Sequence, residues 1–413
     1  MCRMLIFACF AVVTAVNPTY GGEWPQVLGP QRNGVASKES LADSWPEAGP
    51  KTLWQLKVGT GLGGVAVRGG KLILFHRVGN DEIVEVVDAG TGKGVWRASY
   101  PTTFVPSINP DNGPRTVPVV TATQVIVYGA GGDLHALDFK TGGKLWSRKT
   151  HADFETNGGY FGAGSTPIVE GDLVIVNVGG KRTGAGVVAF AADSGKTVWK
   201  SVEGDASYSS PVAVTVGKAR HLIVETRLKT LSLDPKTGAV RWELPFGKIG
   251  PTVNGASPIV VGDKLFLTAS YRIGGLYARF SGTSIETLWT NDELLSSQYT
   301  TPIAHDGKLY GVHGRQDQGT SSLRCVDPVS QKVLWSRDDF GYATLIQADG
   351  KLLAMKTDGE LVMLALDSTK YRELARAKLF DNTTRALPAL SNGLLYVRDT
   401  GTLKCVDLRK PAK

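Results

Sequence analysis

Residues 136–146 read ALDFKTGGKLW, and this stretch decides the fold because the chain repeats it. Its skeleton is a small residue, an apolar residue, Asp, two variable residues, Thr-Gly, and an apolar pair that ends in Trp. Full copies end at Trp96, Trp146, Trp199, Trp242, Trp289 and Trp335. A degraded copy, ALDSTKYRELA, ends at Ala375, and a truncated copy, CVDLRK, begins at Cys405. The stretch KTLWQLKVG, which contains Trp54, supplies the missing end, so that eight copies are present and one is divided between the two ends of the chain.

The spacing of the copies predicts one structural unit for each. Their last residues lie 40 to 53 residues apart, a period typical of propellers, solenoids and arrays. Seven of the nine Trp residues occupy this single slot. The sequence therefore describes a repeat architecture in which the Trp has a fixed structural task.

Each unit reads as β-structure. The stretch STPIVEGDLVIVNVGG, residues 165–180, is two apolar strands around an EGD turn, and no long amphipathic helix stands out anywhere. The recurring glycines predict turn positions with positive φ, where a Cβ would be strained, at Gly92, Gly142, Gly195 and Gly238. The Asp and the Thr or Ser of the motif are suited to hydrogen-bond the backbone of the same turn. Each unit is thus predicted to be four antiparallel strands.

Such sheets bury their faces by packing around an axis, and we therefore predict an eight-bladed β-propeller of four-stranded antiparallel blades. The N-terminal strand with Trp54 closes the last blade beside Cys405, which removes two exposed sheet edges. Each indole would bury about 150–250 Å² against the next blade and needs one acceptor for its N–H. A superhelical array is the alternative, but an array has no reason to divide a repeat between the termini. The residues predicted to dock the blades are Trp54, Trp96, Trp146, Trp199, Trp242, Trp289 and Trp335.

The N-terminal residues indicate export. Arg3 precedes an apolar run from Met4 to Val16, which is typical of a secretory signal peptide, whereas a buried strand is the alternative. The predicted organisation is a signal peptide at 1–22, an N-terminal extension at 23–50 and the propeller at 51–413, in the periplasm or cell envelope. No apolar run is long enough to span a bilayer. Outside the leader, Cys325 and Cys405 occupy equivalent repeat positions and are predicted to be buried thiols rather than a disulfide.

Charge and motifs exclude several function classes. The formal net charge of +8 is spread along the chain, which favours contact with anionic envelope components or is plain solvated charge. No nucleic-acid-binding motif, nucleophile elbow, phosphate loop or paired-histidine zinc spacing is present. His135 lies within a strand of the repeat and is predicted to pack rather than to bind metal. We accordingly predict no metal site and no nucleic-acid partner.

The repeat resembles that of the pyrroloquinoline-quinone-like (PQQ-like) propeller family, in which the tail Trp docks against the neighbouring blade. The resemblance covers about residues 24 to 408. The stretches WPQVLGPQRNGV, NGPRTVPVV, YSSPVAV and GLLYVRDTGTLKCVDL are similar to exported single-domain members from bacteria. Relatives of that group are of two kinds: quinoprotein alcohol dehydrogenases and the propeller lipoprotein of the outer-membrane β-barrel assembly machinery.

The resemblance to the enzymes is incomplete. Their best-known members carry adjacent cysteines over the cofactor, and this chain has no Cys-Cys pair. It also has no C-x-x-C-H haem motif and no counterpart of the Trp-Asn-Pro and Gly-Asp-Asn segments around the catalytic base. Fold alone does not imply function. The sequence therefore assigns no catalytic residue.

The resemblance implies where a ligand would bind. In this family the segment before each innermost strand lies at the channel mouth, where the quinone sits in the enzymes. The polar residues of these segments suit an anionic or planar ligand, or they satisfy the strand-end backbone: Asn112, Arg115, Asn157, Tyr160, Tyr208, Asn254 and Tyr299. Carboxylates of comparable linkers are candidate ligands or bases, or solvated charges: Asp153, Glu155, Asp205, Asp292 and Glu293.

Two functions follow as hypotheses. The first is a monomeric, exported, non-catalytic propeller that binds an envelope protein or a small anionic or planar ligand, like the outer-membrane assembly factor, and needs no cofactor. The second is a PQQ-dependent alcohol or sugar dehydrogenase, with PQQ and Ca²⁺ near Arg115 and Tyr160. The sequence leaves open whether the segment around Trp24 plugs the channel or packs outside it.

Overall fold

The computed structural model describes residues 22–108, 111–156 and 158–410. The predicted signal peptide, residues 1–22, lies outside this part of the chain except for Gly22. Within it, the strands form eight sheets, and the predicted eight-bladed propeller is confirmed. Helical structure in the same residues consists of one short helix and two 3₁₀ turns: α1 (Thr150–Asp153), Lys181–Thr183 and Gln316–Gln318. No helix there combines the length and apolar character needed to cross a membrane.

The strands follow the chain blade by blade, from the channel outward. The chain begins with β1 (Val35–Ala36) and β2 (Thr52–Lys57). Blade 1 contains β3 (Val65–Arg68), β4 (Lys71–Val78), β5 (Asp81–Asp88) and β6 (Gly94–Pro101). Blade 2 contains β7 (Val119–Val120), β8 (Gln124–Tyr128), β9 (Asp133–Asp138) and β10 (Lys144–Lys149). Blade 3 contains β11 (Ile168–Glu170), β12 (Leu173–Gly180), β13 (Ala185–Ala191) and β14 (Thr197–Ser201). Blade 4 contains β15 (Val212–Val216), β16 (Ala219–Glu225), β17 (Lys229–Leu233) and β18 (Val240–Pro245).

The second half of the ring repeats this order. Blade 5 contains β19 (Ile259–Val261), β20 (Lys264–Ala269), β21 (Gly274–Ser281) and β22 (Ser284–Asn291). Blade 6 contains β23 (Ile303–His305), β24 (Lys308–Arg315), β25 (Thr320–Asp327) and β26 (Lys332–Arg337). Blade 7 contains β27 (Ala343–Ala348), β28 (Lys351–Lys356), β29 (Glu360–Ala365) and β30 (Glu373–Lys378), with β1 added parallel to β27. Blade 8 contains β31 (Ala389–Ser391), β32 (Leu394–Arg398), β33 (Thr402–Asp407) and β2.

Blade 8 closes the ring as predicted, because its outermost strand comes from the N-terminal part of the chain. Trp54 of β2 lies opposite Cys405 of β33. The Trp54 indole then donates a hydrogen bond to the carbonyl of Ala89 in blade 1 at 3.0 Å. Tyr396 of blade 8 donates to the same carbonyl at 3.1 Å. The two ends of the chain thus share one blade, and that blade is bonded to the first.

The tail Trp of one blade docks against the turn of the next. The turn glycines have the predicted positive φ, between +68° and +73°, at Gly92, Gly142, Gly195 and Gly238. A Cβ built on each would lie 2.5–2.9 Å from the indole of the preceding blade. The glycine is therefore required twice, by the backbone conformation and by the ring that lies on it. The motif Asp accepts the predicted turn hydrogen bonds, as from Thr91 to Asp88.

Of the seven Trp residues that dock the blades, six donate their indole N–H to an acceptor, and Trp242 is the exception. The acceptors are carbonyl oxygens of the following blade, at 2.8–3.1 Å, for Trp54, Trp96, Trp146, Trp199, Trp289 and Trp335. The Trp242 N–H is buried without a partner in the described residues. Its neighbouring blade carries RFSGTSIETLW, a tight hairpin that lacks the Asp-x-x-Thr-Gly loop and its free carbonyl. Trp242 instead packs edge-on against Phe280, with ring centroids 5.3 Å apart.

A β-bulge precedes every docking position, which the sequence analysis did not predict. In all eight outer strands of the described chain the pairing register shifts at the residue before the tail position. An extra residue in one strand bends it and redirects the next side chain. The bulge therefore turns each tail residue towards the neighbouring blade.

The apolar core is divided into clusters between adjacent blades. Blade 7 has Ala375 at its tail position, and the cluster around it takes in Trp45 of the N-terminal extension. Cys325 and Cys405 are buried and unbonded, which confirms the prediction of free thiols. His135 stacks on Tyr100 at 3.9 Å, so its predicted packing role is also confirmed.

Candidate functional site at the channel mouth

The innermost strands surround a cavity of about 1110 Å³. Its wall is formed by residues at or just before the start of these strands, so that successive blades each contribute: Arg115, Thr166, Ser210, Ser257, Thr301, Thr344 and Leu387. All innermost strands begin on the same face of a propeller. The cavity therefore opens at the face that the sequence analysis called the channel mouth.

The N-terminal segment, residues 22–42, lies across the opposite side of the channel. Trp24 is only 2% exposed and pairs with Val67 near the end of the innermost strand of blade 1. β1 pairs with Gln347 and Ala348 at the end of β27 in blade 7. Since the innermost strands start at the mouth, contacts with their ends place this segment on the far side. It plugs the channel, and its residues Val27 and Leu28 line the cavity.

A buried arginine fixes the plug. The Arg32 guanidinium donates to the carbonyls of Thr166 and Pro167 at 3.0 Å each and to Oε1 of Gln26 at 2.9 Å. No carboxylate pairs with it among the described residues, and burial lowers the pKa of Arg32 to about 9. Arg32 itself has a positive φ of 55°, as do Leu28 and Lys38 with 57° and 63°. The path of the plug is thus held by backbone carbonyls of blade 3 rather than by a regular strand.

Four of the sequence-predicted residues line the cavity: Arg115, Tyr160, Tyr208 and Tyr299. Arg115 donates to the carbonyls of Gly113 and Asp111, and its guanidinium lies 5.4 Å from the Phe104 ring. Its Nη1 is 3.6 Å from the Asp111 carboxylate. Burial lowers the pKa of Arg115, and the Asp111 charge opposes that shift. Arg115 is therefore a wall residue held largely by its own loop.

The tyrosines are held by bonds across blade boundaries. The Tyr208 hydroxyl accepts the Phe161 N–H at 3.0 Å, and burial raises its pKa. The Tyr299 hydroxyl donates to Oε1 of Gln316 at 2.7 Å, and its ring lies 4.4 Å from that of Tyr342. Burial also raises the pKa of Tyr299, so that both phenols are neutral at physiological pH. Whether these residues bind a ligand stays a prediction.

The three asparagines of the prediction are placed differently. Asn112 accepts a hydrogen bond from Thr60 at 2.8 Å, and its carbonyl accepts one from Arg77 at 3.1 Å. The buried Asn254 side chain donates to the carbonyl of Arg227 at 3.3 Å. Neither side chain lines the cavity. Asn157 lies outside the described residues.

Three further arginines line the cavity that the sequence analysis did not select: Arg272, Arg315 and Arg385. Arg272 and Arg315 belong to the hairpins between the second and third strands of blades 5 and 6. Chain direction alone places these hairpins at the mouth, because the second strand of each blade runs back to the face where the first began. Arg385 lies in the linker before β31, and the sequence analysis selected the corresponding linkers before the innermost strands of other blades. Both signals were therefore available in the sequence.

One carboxylate lines this cavity, Asp317, and it is engaged. Arg315 donates to its two oxygens at 2.9 and 2.5 Å, while the Arg315 guanidinium lies 4.3 Å from the Tyr271 ring. Gln298 connects Tyr271 with Asp317, since its Nε2 donates to the Tyr271 hydroxyl at 2.9 Å and to the Asp317 carboxylate at 3.1 Å. With four arginines against one carboxylate, the described lining carries a formal charge of +3.

The turn that presents Tyr271 and Arg272 is conformationally costly. Their φ values are 68° and 60°, and the Ile273 N–H donates to the Ser270 carbonyl at 3.3 Å. Two consecutive positive φ values are typical of a type I′ turn, in which Asn-Gly is the favoured pair. Strain of this kind persists only where the surrounding structure enforces it, and it clusters at functional sites.

Two buried carboxyl groups lie behind the mouth. Burial raises the pKa of Glu82 to about 7 and that of Glu225 to about 8. Glu82 accepts the Ala130 N–H at 3.0 Å, and Glu225 accepts a hydrogen bond from Ser209 at 3.2 Å. Glu225 is therefore mainly uncharged at neutral pH and does not offset the arginines.

The linker carboxylates do not gather into a metal site. Asp153 pairs with Arg148 at 2.8 Å, while Asp292 and Glu293 line a second, polar cavity of about 420 Å³ beside the first. Across the described ranges, no three His, Cys, Asp or Glu side chains are arranged to hold a metal ion.

Comparison with known proteins gives the family. The family described as outer membrane protein assembly factor BamB, a family of PQQ-like repeats, matches residues 46–337. The chain belongs to this PQQ-like family. Outer membrane protein assembly factor BamB of Yersinia pestis is 24% identical over 303 residues, which are 68% of this chain and 71% of that protein.

Solved structures of both kinds of PQQ-like propeller share the fold. BamB from Moraxella catarrhalis gives a TM-score of 0.64 at 17% identity, covering 88% of this chain and 99% of that one. Quinohemoprotein alcohol dehydrogenase from Comamonas testosteroni gives a TM-score of 0.65 at 15% identity, covering 96% and 82%. The two likenesses are equal in quality, so the fold itself does not choose between a binding protein and an enzyme.

Proposed function

We propose that the protein is an exported binding protein of the cell envelope that acts as an assembly factor for outer-membrane proteins and catalyses no reaction. The match of residues 46–337 to the BamB family carries this proposal. The chain also covers 99% of the BamB structure from Moraxella catarrhalis, so that its propeller spans the whole of that fold. The predicted signal peptide would take it to the envelope.

The chemistry of the mouth supports binding over catalysis. General acid–base catalysis needs a positioned group whose proton can be exchanged with the substrate. The one carboxylate in the described lining, Asp317, accepts hydrogen bonds from Nε and Nη2 of Arg315. Burial raises the pKa of Tyr208 and of Tyr299, so both phenols stay protonated at neutral pH and do not serve as general bases. What the wall offers instead is fixed positive charge and aromatic surface, which serve recognition.

A quinoprotein dehydrogenase is the second candidate, because arginines at the channel mouth suit the three carboxylates of PQQ. The residues present fit only part of the cofactor. Ca²⁺ takes six to eight oxygen ligands and prefers carboxylates, whereas Asp317 already pairs with Arg315. The donor set therefore matches the anionic quinone but not its metal.

Deletion of the gene in the native host tests the proposed function. We expect isolated outer membranes to contain less β-barrel protein, while inner-membrane proteins stay at their normal amounts. The full chain restores the loss, and a matched chain without residues 1–22, kept inside the cell, does not. Unchanged outer-membrane protein levels in the deletion strain would contradict the proposal.

A cofactor titration tests the second candidate. Mature protein is mixed with PQQ and Ca²⁺ at tens of micromolar, followed by an alcohol or sugar and a redox dye. We expect no substrate-dependent dye reduction. Turnover that depends on both PQQ and substrate would establish an enzyme and overturn the non-catalytic assignment.

A further inference from the structure

Two guanidinium groups at the mouth have no partner among the described residues. In the described part of the chain, neither Arg272 nor Arg385 makes a hydrogen bond or ion pair. Nε of Arg385 is buried without an acceptor. Arg115 and Arg315 instead pair with Asp111 and Asp317, although the Arg115 Nε, like that of Arg385, has no acceptor in the described residues. A buried donor without an acceptor is destabilising, so an anion that pairs with Arg385 would recover that loss, whereas Arg272 is exposed and offers its charge at the rim.

The loops at the mouth also carry exposed apolar side chains. Three of the four most exposed large hydrophobic side chains in the described residues lie in the mouth loops: Ile249 at 86%, Val105 at 79% and Ile108 at 63%. Val105 and Ile108 belong to the linker between β6 and β7, and Ile249 to the linker between β18 and β19. Ile108 also lines the cavity itself.

These apolar loops are tied together rather than independent. Ser107 donates to the carbonyl of Tyr160 at 3.0 Å, which joins the first linker to the one before β11. The Arg227 guanidinium lies 5.4 Å from the Tyr160 ring and donates to the carbonyls of Gly250 and Thr252 at 2.5 and 3.2 Å. The three linkers therefore form one apolar rim, which we call the apolar collar, defined by Val105, Ile108 and Ile249.

We propose that the mouth binds an extended acidic segment of a partner protein, in which apolar side chains flank the carboxylates. The carboxylates pair with Arg272 and Arg385, and the apolar side chains cover the collar. This inference rests on the proposed binding function and names the chemistry of its partner. Arginine is the residue best suited to hold carboxylates through paired hydrogen bonds.

The size of the cavity favours a peptide over a small ligand. Its volume of about 1110 Å³ exceeds the ~300–1,000 Å³ that is usual for small-molecule sites. The plug closes the far side, so a segment enters and leaves through the mouth alone. A small anion would neutralise the arginines but leave the collar exposed to water. A segment that is both acidic and apolar contacts the arginines and covers the collar.

Fluorescence anisotropy with defined peptides tests the proposal on the mature protein. The probe is a fluorescein-labelled ten-residue peptide that alternates glutamate with leucine or valine. One comparison peptide has lysine at each glutamate position, and another has serine at each apolar position. We expect the acidic apolar peptide to bind at least tenfold more tightly than either, with an affinity that falls as salt rises.

Paired variants locate the contact. We expect Arg272→Gln/Arg385→Gln to weaken the acidic peptide at least tenfold, whereas Arg97→Gln/Lys144→Gln, which removes the same charge from exposed outer strands, leaves binding unchanged. Ile249→Ser/Val105→Ser weakens it as well, and Val329→Ser, at a position 75% exposed on an outer turn, does not. Circular dichroism of each variant verifies the fold.

Several outcomes would overturn the proposal. They are equal binding of the lysine peptide, unchanged affinity in the arginine pair, and binding of dextran sulfate or phosphatidylglycerol vesicles without binding of the peptide. A failure of this kind leaves the gene-deletion result intact, because that experiment measures outer-membrane assembly without naming the ligand. An unaffected deletion strain with clear peptide binding would instead reject the assembly role alone.

Discussion

Alanine at Gly238 measures the contact on which blade docking depends. Gly238 has φ +72°, and a Cβ there would lie 2.6 Å from Cε3 of the buried Trp199 ring. Gly217 of the same blade has φ +60° with nothing within 4 Å of such a Cβ, and it is the matched control. A left-handed backbone costs a residue with a Cβ about 1–2 kcal/mol at either site. Overpacking against the rigid indole adds about 1–3 kcal/mol at Gly238 alone.

The expected loss in the free energy of unfolding is therefore about 1–2 kcal/mol for G217A and about 2–5 kcal/mol for G238A. Urea denaturation followed by far-UV circular dichroism gives both losses from the shift of the midpoint at unchanged slope. Far-UV detection is chosen because the variants alter Trp fluorescence directly.

A double-mutant cycle separates the clash from the backbone strain. In a Trp199→Ala background the indole is absent, so we expect the cost of G238A to fall to that of G217A. If G238A costs no more than G217A in the wild-type background, or costs the same with and without Trp199, the glycine is not required by the indole and the account of docking is wrong.

Three further predictions follow from buried groups. Trp199→Phe removes a hydrogen bond to the Pro235 carbonyl, whereas Trp242→Phe removes an N–H that has no acceptor, so we expect W199F to cost about 1 kcal/mol more in the same urea assay. Equal losses would contradict this. Burial raises the pKa of Glu225 to about 8 from its ordinary value of about 4.3. Between those two pH values the folded protein retains a proton that the unfolded chain releases. Wild-type stability accordingly falls as the pH rises from about 5 to 8, and Glu225→Gln removes this part of the fall. Urea midpoints at pH 5, 6.5 and 8 that change in parallel for both proteins would refute this prediction. Arg32→Met removes charged donors from three acceptors, so we expect the free energy of unfolding to fall by about 3 kcal/mol. Proteolysis of residues 22–42 should also be faster than in an Arg97→Met control. An unchanged cleavage rate would show that the plug does not depend on Arg32.

The ring was predictable because one short motif encodes a turn, a strand and a docking contact together. The positive φ of Gly142 and the place of its blade both follow from ALDFKTGGKLW, and the split copy predicts that Trp54 lies beside Cys405. The first two features depend on residues close in sequence, and the third follows from matching the two halves of the divided copy. The acceptor missing for Trp242 was visible too, because the turn of blade 5 lacks the motif Asp.

The site was predicted less completely, for two physical reasons. Selecting only the linkers before the innermost strands found Arg115 but omitted the hairpins that return to the same face, and with them Arg272 and Arg315. The path of the plug was beyond local patterns, because residues 22–42 form almost no regular structure. Their course is set by Arg32 and by contacts with strands more than a hundred residues away, which neither periodicity nor turn propensity records.

Stability and binding place opposite demands on the mouth. The turn at Tyr271 and Arg272 would be less strained as Asn-Gly, and unpaired guanidinium groups such as that of Arg385 cost free energy in the absence of a ligand. Neither feature contributes to closing the ring, which is secured by the indoles, the turn glycines and the shared eighth blade. Because that closure is independent of the mouth, the ring tolerates a strained and positively charged opening. Under the proposed binding function, the positions expected to determine specificity are therefore those where the sequence departs from the residues that the fold alone would favour.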